Sequence, residues 1–268
     1  MLSALLSIYR AEDPRFFEMA LKSIWHEQTL KPAQVVLVKD GSLTVELNAV
    51  IARWRELLGN AFCVVSLREN VGLGAALNQG LAHCRYELVG RMDTDDVSLP
   101  NRFAAQVDFM EKNPHIVACS AQLEEWDSGL TRKLDERRLP CDPQVLASFA
   151  KHRSPLSHPL AMFRKSVVHK LGGYPPLRKG QDYALWALLL SRGYELANLP
   201  DVLLRMRTGH DLFARRGWRY FKGELEVLRY QRSIGFLSTS EFATNVALKG
   251  TLRLSPRSVK ALVYRFLR

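Results

Sequence analysis

The sequence predicts an α/β fold with a mostly parallel central sheet flanked by helices. Three observations carry this prediction. Apolar runs of strand length alternate with helical segments of roughly 10 to 15 residues, the pattern of βαβ units. Of 268 residues, 47% are hydrophobic and 24% charged, a composition that buries a core. The length suits one large domain, or one domain with an appendage.

Each element follows from local chemistry. "LSALLSI" (2–8) reads as a buried strand; without a preceding basic stretch or a small-residue cleavage site, it does not read as a signal peptide. Asp13 and Pro14 then suit the N-cap and first position of a helix. Phe17, Leu21, Ile24 and Gln28 recur at helical spacing. "QVVLV" (34–38) is a second strand, ending in "KDGS". Residues 45–59 are helical, with Gly59 as the stop. "FCVVSL" (62–67) is a third strand, and 72–84 a helix. "YELVGRM" (86–92) is a fourth strand, and it delivers the acidic run "DTDD". Pro100 starts a helix over 100–113, and 115–123 returns to strand. Beyond about residue 125 the pattern changes. Residues 158–174 mix strand and helix signals, and 181–193 read as an amphipathic helix with Asp182 near its N-terminal end. With every strand pointing the same way, the polar clusters at 7–10, 40–42 and 93–96 fall at strand carboxyl ends. They should converge on one crevice, where open sheets of this kind bind ligands.

Composition excludes some classes. No run of about 18 apolar residues exists, so no transmembrane helix is expected. Cys63, Cys84, Cys119 and Cys141 have neither zinc spacing nor a C-x-x-C pair, and read as reduced, buried thiols of a cytosolic protein. The formal net charge is +11, and from Arg205 onward 14 Lys or Arg stand against 4 Asp or Glu. A near-neutral core thus carries a basic tail suited to an anionic partner. Nucleic acid is disfavoured as that partner, because no DNA- or RNA-binding motif appears and an acidic crevice repels a phosphate backbone.

Asp93, Asp95 and Asp96 place three carboxylates within four positions. Their repulsion is tolerable when a divalent cation or donated hydrogen bonds offset it, and hard oxygen ligands suit Mg²⁺ or Mn²⁺. The competing local reading is that Asp95 and Asp96 cap the helix after Pro100 or sit in a solvated turn. "ENVGLGAALNQG" is no dinucleotide fingerprint, since Leu77 stands where the third glycine belongs.

"SIYR", "VKDGS", "ENVGLGAALNQG", "RMDTDDVSLPNRF", "HPLAMFRKS", "GGYPPL" and "QDYALW" come in the order seen in family 2 glycosyltransferases. Over residues 2–210 the chain resembles that family, and within it the branch that builds bacterial exopolysaccharide, capsule or O-antigen units. The resemblance implies a GT-A fold: a Rossmann-like, mostly parallel sheet with a C-terminal helical extension. Residues 1–210 would form the catalytic domain, 1–124 its nucleotide-sugar half and 125–210 its acceptor half. Residues 211–268 would form the basic extension.

The resemblance also implies site roles. Ser7, Tyr9 and Arg10 would hold the nucleotide, with the Tyr9 ring suited to stack on uracil; its local alternative is a packed aromatic. Asp40 would accept a base N–H, with Lys39 replacing the first of two acids that many members carry; its local alternative is an Asp-Gly turn. Asn70, Gly72 and Asn78 would line the nucleotide pocket, with a helix N-terminus near Gly72 favouring an anion. Asp93 and Thr94 would contact the donor, Asp95 would ligate the metal, and Asp96 is as well suited to capping a helix. Asp182 matches the second member of the family's acidic pair, with Gln181 in the first place. That makes it the general base, more easily ionised than an acidic pair would be; its local alternative is a helix cap. Arg207 and His210 would reach the diphosphate or metal. His158 matches a family position that also suits a structural role, and Trp186 suits either an acceptor pocket or the core.

The tail "SPRSVKALVYRFLR" has Ser255 as N-cap, Pro256 as first helical residue, and Val259, Leu262, Val263, Phe266 and Leu267 on one face. It reads as a helix lying on an anionic membrane surface, or as one packed on the domain. Together with these features, the resemblance implies an inverting, Mg²⁺- or Mn²⁺-dependent transferase. It would move sugar from a nucleotide sugar, a UDP-sugar, to a saccharide acceptor on a lipid such as a polyprenyl diphosphate. Its place would be cytoplasmic, peripheral on the inner face of the membrane. The alternatives are a nucleotidyltransferase, which releases pyrophosphate, and a non-catalytic module that binds sugar nucleotides or a membrane surface.

Overall fold

The computed structural model describes residues 1–208 and 217–254. The first apolar runs become β1 (Leu2–Ile8), β2 (Gln34–Lys39), β3 (Phe62–Ser66) and β4 (Leu88–Met92). Between them lie α1 (Pro14–Trp25), α2 (Val45–Leu58) and α3 (Leu73–His83). Asp13 caps α1 as expected, accepting the Arg15 N–H at 2.8 Å. Gly59 ends α2 with φ +51°, a conformation that favours glycine. Then follow β5 (Val97–Ser98), α4 (Arg102–Lys112), β6 (Ile116–Trp126), β7 (Lys133–Arg137) and α5 (Pro143–Phe149). The chain continues through β8 (Met162–Arg164), α6 (Lys165–Lys170), α7 (Gln181–Ser191) and β9 (Glu195–Arg207). Helices α8 (Trp218–Ser233) and α9 (Thr239–Leu254) pack on each other, and α8 packs on α7.

The strands form one sheet in the order β3-β2-β1-β4-β8-β6-β9-β5, with β7 paired to β6. The expectation that every strand points the same way is corrected: β8, β5 and β7 pair antiparallel to their neighbours. The reason is connection length. Strand β7 follows β6 through a tight turn in which Asp127 accepts the N–H groups of Thr131 and Arg132, and a hairpin needs no crossover helix. The first four strands do run parallel, so their carboxyl ends share one edge.

Alternation along β1 divides the core. Leu2, Ala4, Leu6 and Ile8 face one cluster, with α1, α2 and α4, while Leu5 faces the other, with α3 and α7. Helix α3 lies close on the sheet: a Cβ on Gly80 would stand 2.5 Å from Leu5 and 2.6 Å from Val38. Helix α7 is not amphipathic. Ala184 through Leu189 are all buried, because sheet and α8 cover it from different sides. Trp186 is therefore core, not pocket wall. Cys84 and Cys119 are buried and Cys63 half-buried, but Cys141, in the loop before α5, is exposed. His210 and the tail helix expected over 255–268 lie outside the described residues. Among the described residues, no helix is long and apolar enough to cross a membrane.

Candidate active site

The register sets the site. Ile8 pairs with Lys39 and Leu6 with Met92, so the residues that follow these strands leave the sheet at one level. They open a crevice of about 560 Å³. Ser7, Tyr9 and Arg10 line it after β1, Asp40 after β2, and Asp93 and Thr94 after β4. Asn70 and Gly72, from the loop before α3, complete it. Tyr9 is 46% exposed, so its ring is open to a ligand and is not packed in the core.

Asp40 is buried, and its carboxylate faces the chain itself. Oδ1 accepts the Val71 N–H at 2.7 Å and Oδ2 the Gly72 N–H at 3.1 Å. Gly41 turns with φ +86°, and a Cβ there would stand 2.9 Å from the Asn70 nitrogen. The Asp-Gly turn reading therefore holds locally, and Asp40 pins the 70–72 loop over the crevice. Asn78 does not reach the lining. Its amide donates to Tyr174 O at 2.9 Å and accepts the Tyr174 N–H at 2.8 Å, clasping α3 to the 173–174 loop.

Asp93, Asp95 and Asp96 each bring one carboxylate oxygen within 4.8 Å of the others. Neither Asp95 nor Asp96 caps α4; Asn101 stands at its N-cap. The intervening β5 pairs with β9 and sets Asp96 against Arg207, whose N–H donates to Oδ1 at 2.9 Å. The other Asp96 oxygen is buried and has no partner among the described residues. Burial, then Asp93, holds the Asp95 carboxyl above its ordinary value. Burial, then Asp93 and Asp95, pushes Asp96 well above. Three converging hard donors, one with an orphaned oxygen, fit a divalent cation of the Mg²⁺ or Mn²⁺ type. Arg207 lies outside the lining. Its guanidinium donates to Asp95 O at 2.6 Å and Ser128 O at 2.7 Å, clamping the acidic loop's backbone.

Two residues here escaped sequence reasoning. Glu12 lines the crevice, and burial, then Asp95 and Asp93, raises its carboxyl to about 7. No motif contains it. Arg91 is 1% exposed, donates to Asp93, and keeps Nε and Nη1 without partners among the described residues. A lone charge inside the apolar run "LVGRM" was the signal available for it.

Asp182 lines a second crevice, of about 380 Å³, between α7, α8 and α9. The starts of α3 and α7 touch between the two crevices: a Cβ on Gly74, next to Leu73 of the first, would stand 3.0 Å from Gln181 Cγ, next to Asp182 of the second. Gly180, with φ +66°, is the N-cap of α7, and Asp182 accepts the Tyr183 N–H within the first turn. Losing an acidic neighbour to Gln181 does not make Asp182 an easy acid. Burial raises its carboxyl, and the Tyr183 N–H and then Arg91 only partly oppose this. His158 takes the structural alternative. Its Nε2 lies 3.1 Å from the Tyr174 hydroxyl, its ring packs edge-on to Tyr174 and Trp186, and burial holds its pKa well below the ordinary value.

Residues 5–172 match the family described as Glycosyl transferase family 2. The chain is 38% identical over 268 residues to the amylovoran biosynthesis glycosyltransferase AmsE of Erwinia amylovora, covering 98% of each. It is 35% identical over 269 residues to the UDP-Gal:alpha-D-GlcNAc-diphosphoundecaprenol beta-1,3-galactosyltransferase of Escherichia coli, covering 98% of this chain and 94% of that one. Among solved structures, the mannosyltransferase PcManGT from Pyrobaculum calidifontis, in complex with GDP-Man and Mn²⁺, shares the fold with a TM-score of 0.66. Identity there is 20%, over 94% of this chain and 69% of that one. The strand-end crevice of a GT-A fold is thus joined to kinship along nearly the whole length, and the chain belongs to glycosyltransferase family 2.

Proposed function

We propose that the enzyme transfers a sugar, with inversion at the anomeric carbon, from a UDP-sugar to a saccharide acceptor carried on a polyprenyl diphosphate, in the assembly of bacterial surface polysaccharide. One observation carries the reading: Asp93, Asp95 and Asp96 gather at the first crevice, whose wall Asp93 joins, and Asp182 stands in the second crevice within reach of the Asp93 charge. The first suits a nucleotide diphosphate donor. Tyr9 offers a ring face for the base, and the pinned 70–72 loop with the start of α3 offers backbone N–H groups for an anion. Asp93, Asp95 and Asp96 would hold Mg²⁺ or Mn²⁺, which when bound supplies Lewis-acid stabilisation of charge on the departing diphosphate. Asp182 takes the proton from the acceptor hydroxyl. The acceptor oxygen attacks from the face opposite the leaving group, which inverts the configuration. A raised carboxyl favours this role, because a stronger base removes the proton more readily once ionised.

The relatives' names support the details. One is named for amylovoran biosynthesis, and another for UDP-Gal and a diphosphoundecaprenol-linked GlcNAc. The fold neighbour with GDP-Man and Mn²⁺ agrees with a metal-assisted donor site. Residues 1–210 act in this reading as the catalytic domain, and 211–268 as an extension whose helices α8 and α9 wall the Asp182 crevice and which lays the enzyme on the cytoplasmic membrane face. The test is a panel of nucleotide sugars incubated with Mn²⁺ or Mg²⁺ and lipid-diphosphate saccharides. Release of UDP, abolished by a chelator, is expected. Release of pyrophosphate would instead identify a nucleotidyltransferase, and binding without turnover a non-catalytic module.

A further inference from the structure

The second crevice holds charge that the transfer step does not use. Lys249 of α9 lines it, with its side chain only 18% exposed. Its ammonium makes two long contacts, 3.7 Å to a Glu224 oxygen and 3.4 Å to His152 O. Glu224 is already held by Arg253, whose Nε and Nη2 donate at 2.9 and 3.0 Å. One carboxylate thus serves two cations. Lys179, in the loop before α7, lines the same cavity, with its ammonium 5.8 Å from the Tyr220 ring centroid and no ion pair among the described residues. Burial, with Arg253 and Arg153 adding to it, disfavours the Lys249 ammonium against the pull of Glu224. Cations crowded into a half-buried cavity are relieved by an anion that brings more than one charge.

The rest of the wall suits a sugar and the start of a lipid. Tyr183 lines the wall, Val227 and Leu228 give an apolar floor, and the Tyr220 ring already carries the Arg253 guanidinium at 4.6 Å and the Lys179 ammonium at 5.8 Å. The Tyr183 hydroxyl is already engaged with Ala150 O at 2.7 Å, so it serves packing. A cavity of about 380 Å³ lies at the small end of ligand pockets. It accommodates one sugar and a diphosphate, not a long oligosaccharide.

We propose that Lys249 and Lys179 bind the diphosphate ester that links the acceptor sugar to its lipid, so that the anchored sugar presents its hydroxyl to Asp182. This rests on the transferase reading above. It adds that the anion is recognised by the loop before α7 and by α9, outside the donor crevice, and that a diphosphate close to the accepting sugar is a specificity element.

The test uses farnesyl diphosphate, a lipid diphosphate without a sugar, titrated calorimetrically into the full chain after UDP and Mn²⁺ have been added to saturation. Farnesyl diphosphate should bind, and farnesol and inorganic phosphate should bind at least about tenfold more weakly. The pair Lys179→Ala/Lys249→Ala should weaken farnesyl diphosphate roughly ten- to hundredfold. Lys249→Arg should retain most of the affinity, and thermal melts of each variant verify the fold. Equal affinity for farnesol, or a double variant that binds farnesyl diphosphate as well as the parent, overturns the proposal. Competition by phosphatidylglycerol vesicles assigns the lysines to membrane headgroups and overturns it too. Failure of the parent chain to take up UDP counts against the donor reading alone, because the farnesyl diphosphate titration still decides the lysines.

Discussion

The two crevices differ in how they are built. The first is made by short contiguous segments at the ends of parallel strands, 7–10, 40–42, 70–73 and 93–94, held level by backbone register. The second gathers Ser154, Lys179, Asp182, Glu224 and Lys249 from two loops, three helices and nearly a hundred residues of chain. A strand end needs a turn, and turns carry Gly, Asp and Asn that mark their own position. A pocket between helices is set by side-chain packing, which leaves no local mark. The first crevice was therefore open to inspection in the sequence, and the second showed only Asp182.

The largest predicted effect separates the two. Asp182→Asn should lower turnover by about 10²–10⁴-fold, the usual worth of a general base, while UDP affinity by calorimetry stays within about twofold. An equal loss in both would mean that one site, not two, does the work. Stability gives an independent reading. Because the folded-state pKa of Asp182 is raised, ionising it costs stability once the pH passes its unfolded-state value. Asn removes that cost, so the variant's Tm at pH 7 should equal or exceed the parent's.

The converse substitution strikes the first crevice. Asp95→Asn should weaken Mn²⁺ binding by at least about 10–100-fold, measured by the spin-resonance signal of free Mn²⁺, and UDP uptake should fall with it. Farnesyl diphosphate binding should persist, since the lysines of the second crevice are not changed. Loss of both ligands together would erase the distinction between the crevices.

Asp40→Ala comes next in size. It leaves the Val71 and Gly72 N–H groups without their carboxylate, at a cost of about 1–3 kcal/mol, seen as a lower urea midpoint with the slope unchanged. The nucleotide should bind more weakly because the 70–72 loop loses its anchor. This residue also shows where sequence reasoning stops. "VKDGS" marked a turn and an acid at the right strand end. The partners of that acid lie 31 and 32 residues away, and only the packing of α3 on the sheet reveals them. Asn78 is the same lesson in reverse. It stands in a motif that lines the crevice elsewhere, yet its helical position turns it toward Tyr174, 96 residues on. Asp96 was open to a capping role until β5, two residues long and too short to leave a pattern, set it against Arg207.

The smallest effect concerns the link between the crevices. Arg91 is buried, donates to Asp93, and lowers the pKa of Asp182 by its charge. A general base acts when deprotonated, so the rate should rise with pH through a value above the ordinary carboxylate range. Removing the cation with Arg91→Met takes away a lowering influence, and the rising limb should move to higher pH. Arg91→Lys keeps the charge and should hold the limb near its original place, though it loses the fork that engages Asp93. Rates are compared per folded molecule, because breaking a buried pair costs stability on its own. The parent, Met and Lys profiles together separate charge from shape. A limb that stays fixed in the Met variant would show that the donor-side arginine does not reach Asp182, and that the two crevices touch without sharing an electric field.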